Sequence, residues 1–223
     1  MGRLIPLTVE GKETKRSLDF EVKALFCGGY AGRDQEEVRK HVAELRKIGV
    51  PAPERIPVAY PVSTYLLTTD DEIEVQSEET SGEVEYVVLV GEGELYVTVG
   101  SDHTDRELER ISVPKAKQMY PKVIPEVVRP YDEVKGHWDE LIIRSYVVKD
   151  GRRRLYQERP LEALIGVERL MEIVGEWGPG WVLFSGTVPT VDGELVYADE
   201  FEMEIHDPIL DRRISHRYRI RLL

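Results

Sequence analysis

The chain has a single cysteine, Cys27, among 223 residues. It therefore has no means of forming an intramolecular disulfide or a cysteine-rich zinc site, which suits a reducing compartment. Apolar runs long enough to span a bilayer are missing. The first twenty residues, with Lys12, Lys15 and Arg16 among acidic neighbours, lack the apolar core of a signal peptide. Positive charge is scarce: 30 Lys and Arg face 42 Asp and Glu, a net charge of −12, which disfavours a nucleic-acid or anionic-membrane binder. Also missing are a Gly-x-Gly-x-x-Gly after a strand, a Gly-Lys-Ser/Thr phosphate loop and a Gly-x-Ser-x-Gly elbow, so nucleotide cofactors and serine hydrolysis drop out. The expectation is an acidic, cytoplasmic globular protein with no nucleic-acid or membrane partner. The length supports a sizeable core without disulfide or zinc staples.

What is present reads mostly as β-structure. Leu4 to Phe26 alternates polar and apolar residues around the turn Gly11-Lys12-Glu13, predicting a strand pair over 1–25. Asp34 to Ile48 has helix periodicity through Val38, Val42, Leu45 and Ile48, and Gly49 ends it. Pro51, Pro53 and Pro57 hold the following segment extended or in loops, so 26–60 reads as a lid helix with a proline-rich sequel. Strands are predicted over Tyr65–Thr68, Ile73–Val75, Glu83–Val90, Leu95–Val99, Leu141–Val148, Leu155–Tyr156, Trp181–Phe184, Phe201–Ile205 and Tyr218–Leu222. Asp150-Gly151 marks a hairpin turn. A second helix is predicted over Leu161–Gly175. With no repeat or linker, residues 1–223 read as one β-rich α+β domain.

The most informative stretch runs from Ser81 to Asp102. Gly91 and Gly93 mark a hairpin between two β-rich runs. If Val90 pairs with Leu95, then Glu83 lies opposite Asp102 and Glu85 opposite Gly100. Residues two apart on a strand share a face, so Glu83, Glu85 and Asp102 project together. Opposed Cβ atoms are about 5 Å apart and diagonal ones roughly 7 Å. Three carboxylates at that range repel, and the arrangement makes sense around a hard cation that favours oxygen ligands. The plain alternative is a solvated strand face in an acidic protein, and a one-residue slip would turn Asp102 away.

These residues resemble the fumarylacetoacetate hydrolase-like superfamily. It carries Glu-x-Glu on one strand and Asp-x-Ser/Thr-x-Arg at the end of a later one, as in Glu83-Val84-Glu85 and Asp102-His103-Thr104-Asp105-Arg106. The resemblance extends to Lys117 ahead of Pro125, to Asp150-Gly151 followed by Gln157, and to Gly178-Pro179-Gly180 followed by Ser185-Gly186-Thr187-Val188-Pro189. A branch of unknown function is most similar, with Gly-Tyr-Ala-Gly-Arg-Asp early, Gly-Ser-Asp-His-Thr-Asp-Arg centrally and His137-Trp138-Asp139 later. The resemblance implies a mixed β-sandwich or roll of the superfamily's C-terminal-domain type with a few helices. It also implies a divalent cation on Glu83, Glu85 and Asp102: Mg²⁺ first, with Mn²⁺ or Ca²⁺ as alternatives.

Many relatives carry a His-x-x-Glu pair that activates water from a lid helix. Arg33 stands where the histidine falls in one register; His41-Val42-Ala43-Glu44 preserves the pair in another, shifted by about two helical turns. Residues three apart share a helix face, so Glu44 is placed to orient His41; the plain alternative is a surface ion pair. Lys117 is expected beside a developing enolate, although Lys115 and Lys122 show that lysines are plentiful here. Gly186 and Thr187 are expected to receive a substrate carboxylate, with Arg33 a further substrate contact. His103 is expected to point away from the metal face, Arg106 either to bind an anionic substrate or to pair with nearby carboxylates, and Cys27 to be a buried, inert thiol.

The function implied is metal-dependent hydrolysis of a carbon–carbon bond in a small 2-oxo or 1,3-dicarbonyl, acylpyruvate-like acid, by a homodimer. Alternatives are a hydratase, isomerase or decarboxylase of a related 2-oxo acid, and a non-catalytic ligand-binding relative.

Overall fold

The computed structural model describes residues 2–47, 53 and 55–223, without the side chains of residues 41 and 44–47. In chain order its strands are β1 (Arg3–Glu10), β2 (Lys15–Val22), β3 (Ala24–Gly29), β4 (Val58–Val62), β5 (Leu67–Thr68), β6 (Glu72–Val75), β7 (Thr80–Ser81), β8 (Val84–Val90) and β9 (Leu95–Asp102). They continue as β10 (Thr104–Asp105), β11 (Lys122–Val123), β12 (Val127–Pro130), β13 (Ile142–Lys149), β14 (Arg152–Pro160), β15 (Trp181–Phe184), β16 (Glu200–Asp207) and β17 (Arg212–Leu222). The α-helices are α1 (Gln35–Lys47), α2 (Arg106–Glu109), α3 (Val113–Met119) and α4 (Val167–Val174).

A ten-stranded mixed sheet follows the order β2-β1-β12-β9-β8-β15-β3-β4, with β11 bridging β9 to β5. A five-stranded sheet runs β14-β13-β16-β17-β6. The predicted β-rich α+β class is the observed one. At its centre β8 is buried along its whole length, and strand alternation divides its side chains between two cores. Val84, Tyr86, Val88 and Val90 meet Ile143, Phe201, Met203 and Tyr218 of the second sheet. Val87 and Leu89 face the other way, toward Leu25, Cys27, Val182 and Phe184. Glu85 has the parity of Val87 and Leu89, so its carboxylate lies on the second of these faces.

Where helices and strands differ from the sequence reading, local causes are visible. Asp34 accepts from the backbone of Glu36 at 3.0 Å and Glu37 at 3.1 Å, capping the start of α1. The helix predicted from Leu161 begins only at Val167, because the residues before it pair with the chain ahead of α1. Arg33 N donates to Ala163 O at 2.9 Å and Ile165 N to Ala31 O at 2.9 Å. Short α2 and α3 went unforeseen, being too brief to establish a hydrophobic period. No helix among the described residues is long and apolar enough to cross a membrane.

Candidate metal and substrate site

The β8–β9 hairpin sets the site. Its turn closes with Gly91 N donating to Glu94 O at 2.8 Å, and Gly93 takes a φ of +82° that side chains other than glycine rarely adopt. Val90 pairs with Leu95, Glu85 with Gly100 and Val84 with Ser101, the predicted register. One step further, Asp102 N donates to Glu83 O at 3.0 Å. Glu83, Glu85 and Asp102 thus meet at the end of the hairpin, each offering an oxygen within 4.8 Å of the others.

Basic groups surround this cluster, and the sequence reading identified only part of that. Lys117, in the last turn of α3, places Nζ 2.5 Å from Asp102 Oδ2 and 3.3 Å from Glu83 Oε2. Lys122, opposite Asp102 in the β11–β9 pairing, reaches Asp102 Oδ1 at 2.7 Å and donates to His103 O at 2.8 Å. Arg106 reaches back to Glu83 Oε1 at 3.0 Å, Ser81 Oγ at 2.7 Å and Glu109 Oε2 at 2.8 Å. That reach accounts for an arginine four residues beyond Asp102. Lys122 was missed as a site residue. Its available signal was a lone ammonium in the apolar run around Val123 and Ile124, whereas Lys115 is exposed.

Burial and charge push the three carboxylates apart. Burial alone would raise Asp102, but Lys117 and Lys122 outweigh it and hold the group well below the ordinary range. Burial likewise raises Glu83, and Arg106 and Lys117 overcome it, leaving the group low. Glu85 goes the other way: burial first, then the charge of Asp102, pushes it well up despite Lys117. One of its oxygens, Oε2, accepts from Gly186 N at 2.7 Å. The other, Oε1, is fully buried and has no hydrogen-bond partner among the described residues. A buried acceptor left unpaired costs free energy that a cation at this spot would recover. Three carboxylates, one with an orphaned oxygen, fit a hard divalent cation.

Gly186 takes a φ of +91°, and a Cβ there would lie 2.9 Å from the Cβ of Ala31, so both its conformation and its packing call for glycine. Thr187 Oγ1 donates to Val84 O at 2.8 Å and accepts from Gln157 Nε2 at 2.8 Å. Gln157 also donates to Val188 O at 2.6 Å, and its Oε1 accepts from Val84 N at 3.1 Å and Ser145 Oγ at 3.0 Å. The hydroxyl of Thr187 is thus already committed to holding β8, and the strand that carries Glu85, with Glu83 just ahead of it, is tied to the 186–188 turn.

Other candidates fall around the cluster. His103 is wholly buried, between Tyr218 Oη at 3.0 Å and Thr80 Oγ1 at 3.0 Å. Burial first, then Lys122 and Arg106, push it down to about 3, so it is a neutral packing residue. Cys27 is wholly buried, and burial pushes its thiol well up. Arg33 forms a two-pronged pair with Asp139 at 2.7 and 2.6 Å and donates to Leu164 O at 2.9 Å. Its contacts tie the start of α1 to the His137-Trp138-Asp139 segment. His41 and Glu44 fall on the backbone of α1; their side chains lie outside the described residues.

The sequence profile of a family described as a protein of unknown function, DUF2848, matches residues 28–218. No curated protein matches. Among solved structures, a 2-keto-3-deoxy-D-arabinonate dehydratase in its apo form is similar with a TM-score of 0.65 and 19% identity, over 94% of this chain and 77% of that one. A complex of 2-keto-3-deoxy-D-arabinonate dehydratase with magnesium and 2,5-dioxopentanoate gives 0.63 and 19%, over 95% and 77%. A fumarylacetoacetate hydrolase from the psychrophile Exiguobacterium antarcticum gives 0.58 and 14%, over 95% and 80%. The fold is therefore the one these enzymes share.

Proposed function

Since the chain belongs to the DUF2848 family, whose description assigns no activity, we propose one from the site: a divalent-metal-dependent enzyme acting on a small 2-oxo or 1,3-dicarbonyl acid. The reaction proposed first is hydrolytic cleavage of a carbon–carbon bond in an acylpyruvate-like compound. The observation that carries this reading is the buried Glu85 Oε1, without a hydrogen-bond partner among the described residues, within a group of three carboxylates. Glu83, Glu85 and Asp102 would hold the ion, with Mg²⁺ the first candidate. A divalent cation, when bound, polarises carbonyl oxygens and offsets negative charge.

The chain's own groups would do the rest. Lys117 brings an ammonium to the same carboxylates and is assigned to the charge that develops on the departing enolate. Gly186 and Thr187 form the turn against Glu85 and Val84, and are assigned to the substrate carboxylate. The Thr187 hydroxyl would serve only by exchanging its bond to Val84 O, so the backbone of this turn takes the larger share. His41, oriented by Glu44, is assigned as the base that deprotonates water. A homodimer in the cytoplasm completes the proposal.

A second reading rests on the dehydratase fold relatives, one of them complexed with magnesium and 2,5-dioxopentanoate. Eliminating water from a 2-oxo acid asks for the same carbonyl polarisation and a nearby proton-transfer group. One experiment addresses both. Titration calorimetry with Mg²⁺ and Mn²⁺ near neutral pH is expected to show one divalent site. Turnover of a panel of acylpyruvates and 3-deoxy-2-oxo acids should then be lost on adding EDTA. A wild-type protein that takes up neither ion sinks the proposal.

A further inference from the structure

The two oxygens of Asp102 are each already in contact with an ammonium group, and the two ammonium groups are held differently. Lys122 is immured: its side chain is 0% exposed, its residue pairs with Asp102 across β11 and β9, and it also donates to the carbonyl of His103. Lys117 reaches in from the last turn of α3 on a flexible stem. It contacts Asp102 Oδ2 at 2.5 Å and Glu83 Oε2 at 3.3 Å, two of the three carboxylates in the cluster. We propose that Lys117 is a resident cation that a divalent ion has to displace, so that loading the metal releases its ammonium group from Asp102. The inference rests on the metal reading above and adds to it a competitor built into the chain.

The geometry leaves the ion little choice. Oδ1 is held by Lys122, which is fully buried and fixed in β11 beside β9, whereas Lys117 on Oδ2 keeps 6% of its side chain exposed, so Oδ2 is the oxygen of Asp102 assigned to exchange. An oxygen-bound Mg²⁺ or Ca²⁺ sits about 2.0–2.6 Å from its ligand atom. With Nζ only 2.5 Å from that same oxygen, ion and ammonium come no further apart than about 5 Å. Both are cations in a site shielded from water, where like charges repel strongly. Glu83 loses little when Lys117 leaves, because Arg106 stays on its other oxygen at 3.0 Å. Asp102 likewise keeps Lys122. The network is therefore arranged to survive the departure of one ammonium, and Lys117 is the one not also bonded to a backbone carbonyl or fixed in a strand beside Asp102. Free of Asp102, that group is available to an anionic substrate only once the ion is in place. In the metal-free protein, by contrast, it occupies the carboxylates and keeps them from closing on weaker monovalent ions.

Two measurements test this. In the first, Mn²⁺ affinity is compared by calorimetry for the wild type and Lys117→Met. Loss of the competing charge should tighten binding by about 10-fold or more. Unchanged or weaker binding in a folded Lys117→Met variant overturns the displacement, and makes Lys117 a fixed support of the site. In the second, on the wild-type protein, lysines are labelled by reductive methylation and read by peptide mass spectrometry. Lys117 should be protected without metal and labelled several-fold faster at saturating Mn²⁺, with Lys122 protected throughout. Equal labelling of Lys117 with and without Mn²⁺ overturns the proposal even if the variant does not fold. A wild type that binds no Mn²⁺ removes both this inference and the metal reading; binding without competition removes this inference alone.

Discussion

Bare, the carboxylates of Glu83, Glu85 and Asp102 would repel one another. In the folded chain Arg106, Lys117 and Lys122 answer Glu83 and Asp102, so repulsion alone no longer calls for an ion. The weight shifts to Glu85, whose carboxyl is raised by burial and by the charge of Asp102. The raised value has a definite consequence for stability. Between the unfolded carboxyl's ordinary value, about 4.3, and the higher folded value, the folded state holds a proton that the unfolded state has released. Stability contributed by this group therefore falls as pH rises through that window. Glu85→Gln removes the titration, so its melting temperature relative to the wild type, without metal, should rise from pH 5 to pH 8 in scanning fluorimetry. With Mn²⁺ at pH 8 the order should reverse, because only the carboxylate gains from the ion. A difference between the two proteins that does not change with pH would show that Glu85 is not the strained member of the cluster.

Among the elements, the β8–β9 hairpin was legible because everything that sets it is local. Two glycines mark the turn, and period-two alternation then puts both glutamates and Asp102 on one face. The partner of Lys122 was not legible, because its place opposite Asp102 depends on β11 returning to β9 after α2 and α3; the sequence showed only a lone ammonium in an apolar run. Gln157 was seen only through resemblance; its four bonds to Val84, Ser145, Thr187 and Val188 join segments far apart in the chain. Helix α4 starts late for the same kind of reason, since pairing of 163–165 with 31–33 overrides a helical period. Helix α1 is the element on which the reaction hypothesis turns. Its period was legible, and the structure adds the cap that Asp34 makes at its start. If His41 supplies the base, His41→Ala should lower turnover by about 10²–10⁴-fold and leave Mn²⁺ affinity within error of the wild type. Full turnover in that variant would take the base away from α1 and leave the metal reading of the carboxylate cluster unaffected.

At the scale of the whole molecule, the carboxylate cluster lies where the two sheets are stitched together by buried polar groups. Ser101 and His103, at the end of β9 and just after it, share Tyr218 Oη of β17 at 2.8 and 3.0 Å. Gln157 of β14 joins β8, β13 and the 186–188 turn through both ends of one amide. Each stitch is paid for in desolvation and holds only while all its partners are present. Gln157→Leu keeps a comparable volume but strips partners from Val84 N, Val188 O and the Thr187 hydroxyl in a buried setting. A buried donor or acceptor left unmade costs about 1–3 kcal/mol, and relaxation shares the loss, so about 2–4 kcal/mol is expected. For a domain of this size each kcal/mol moves the midpoint by about 2–4 °C, so the variant should melt about 4–16 °C lower. The effect should also reach the site. Val84 sits between Glu83 and Glu85, and losing its anchor frees the strand that aims both carboxylates, so Mn²⁺ affinity should fall along with stability. A Gln157→Glu variant separates the two effects, because its carboxylate still accepts from Val84 N and Ser145 Oγ but no longer donates to Val188 or Thr187. If Gln157→Leu melts within a degree of the wild type and binds Mn²⁺ equally well, the Gln157 amide adds nothing to the coupling of the two sheets beyond apolar packing and the Ser101–Tyr218 and His103–Tyr218 bonds. The carboxylate cluster would then owe its geometry to the hairpin, to Gly186 and to the basic groups around it.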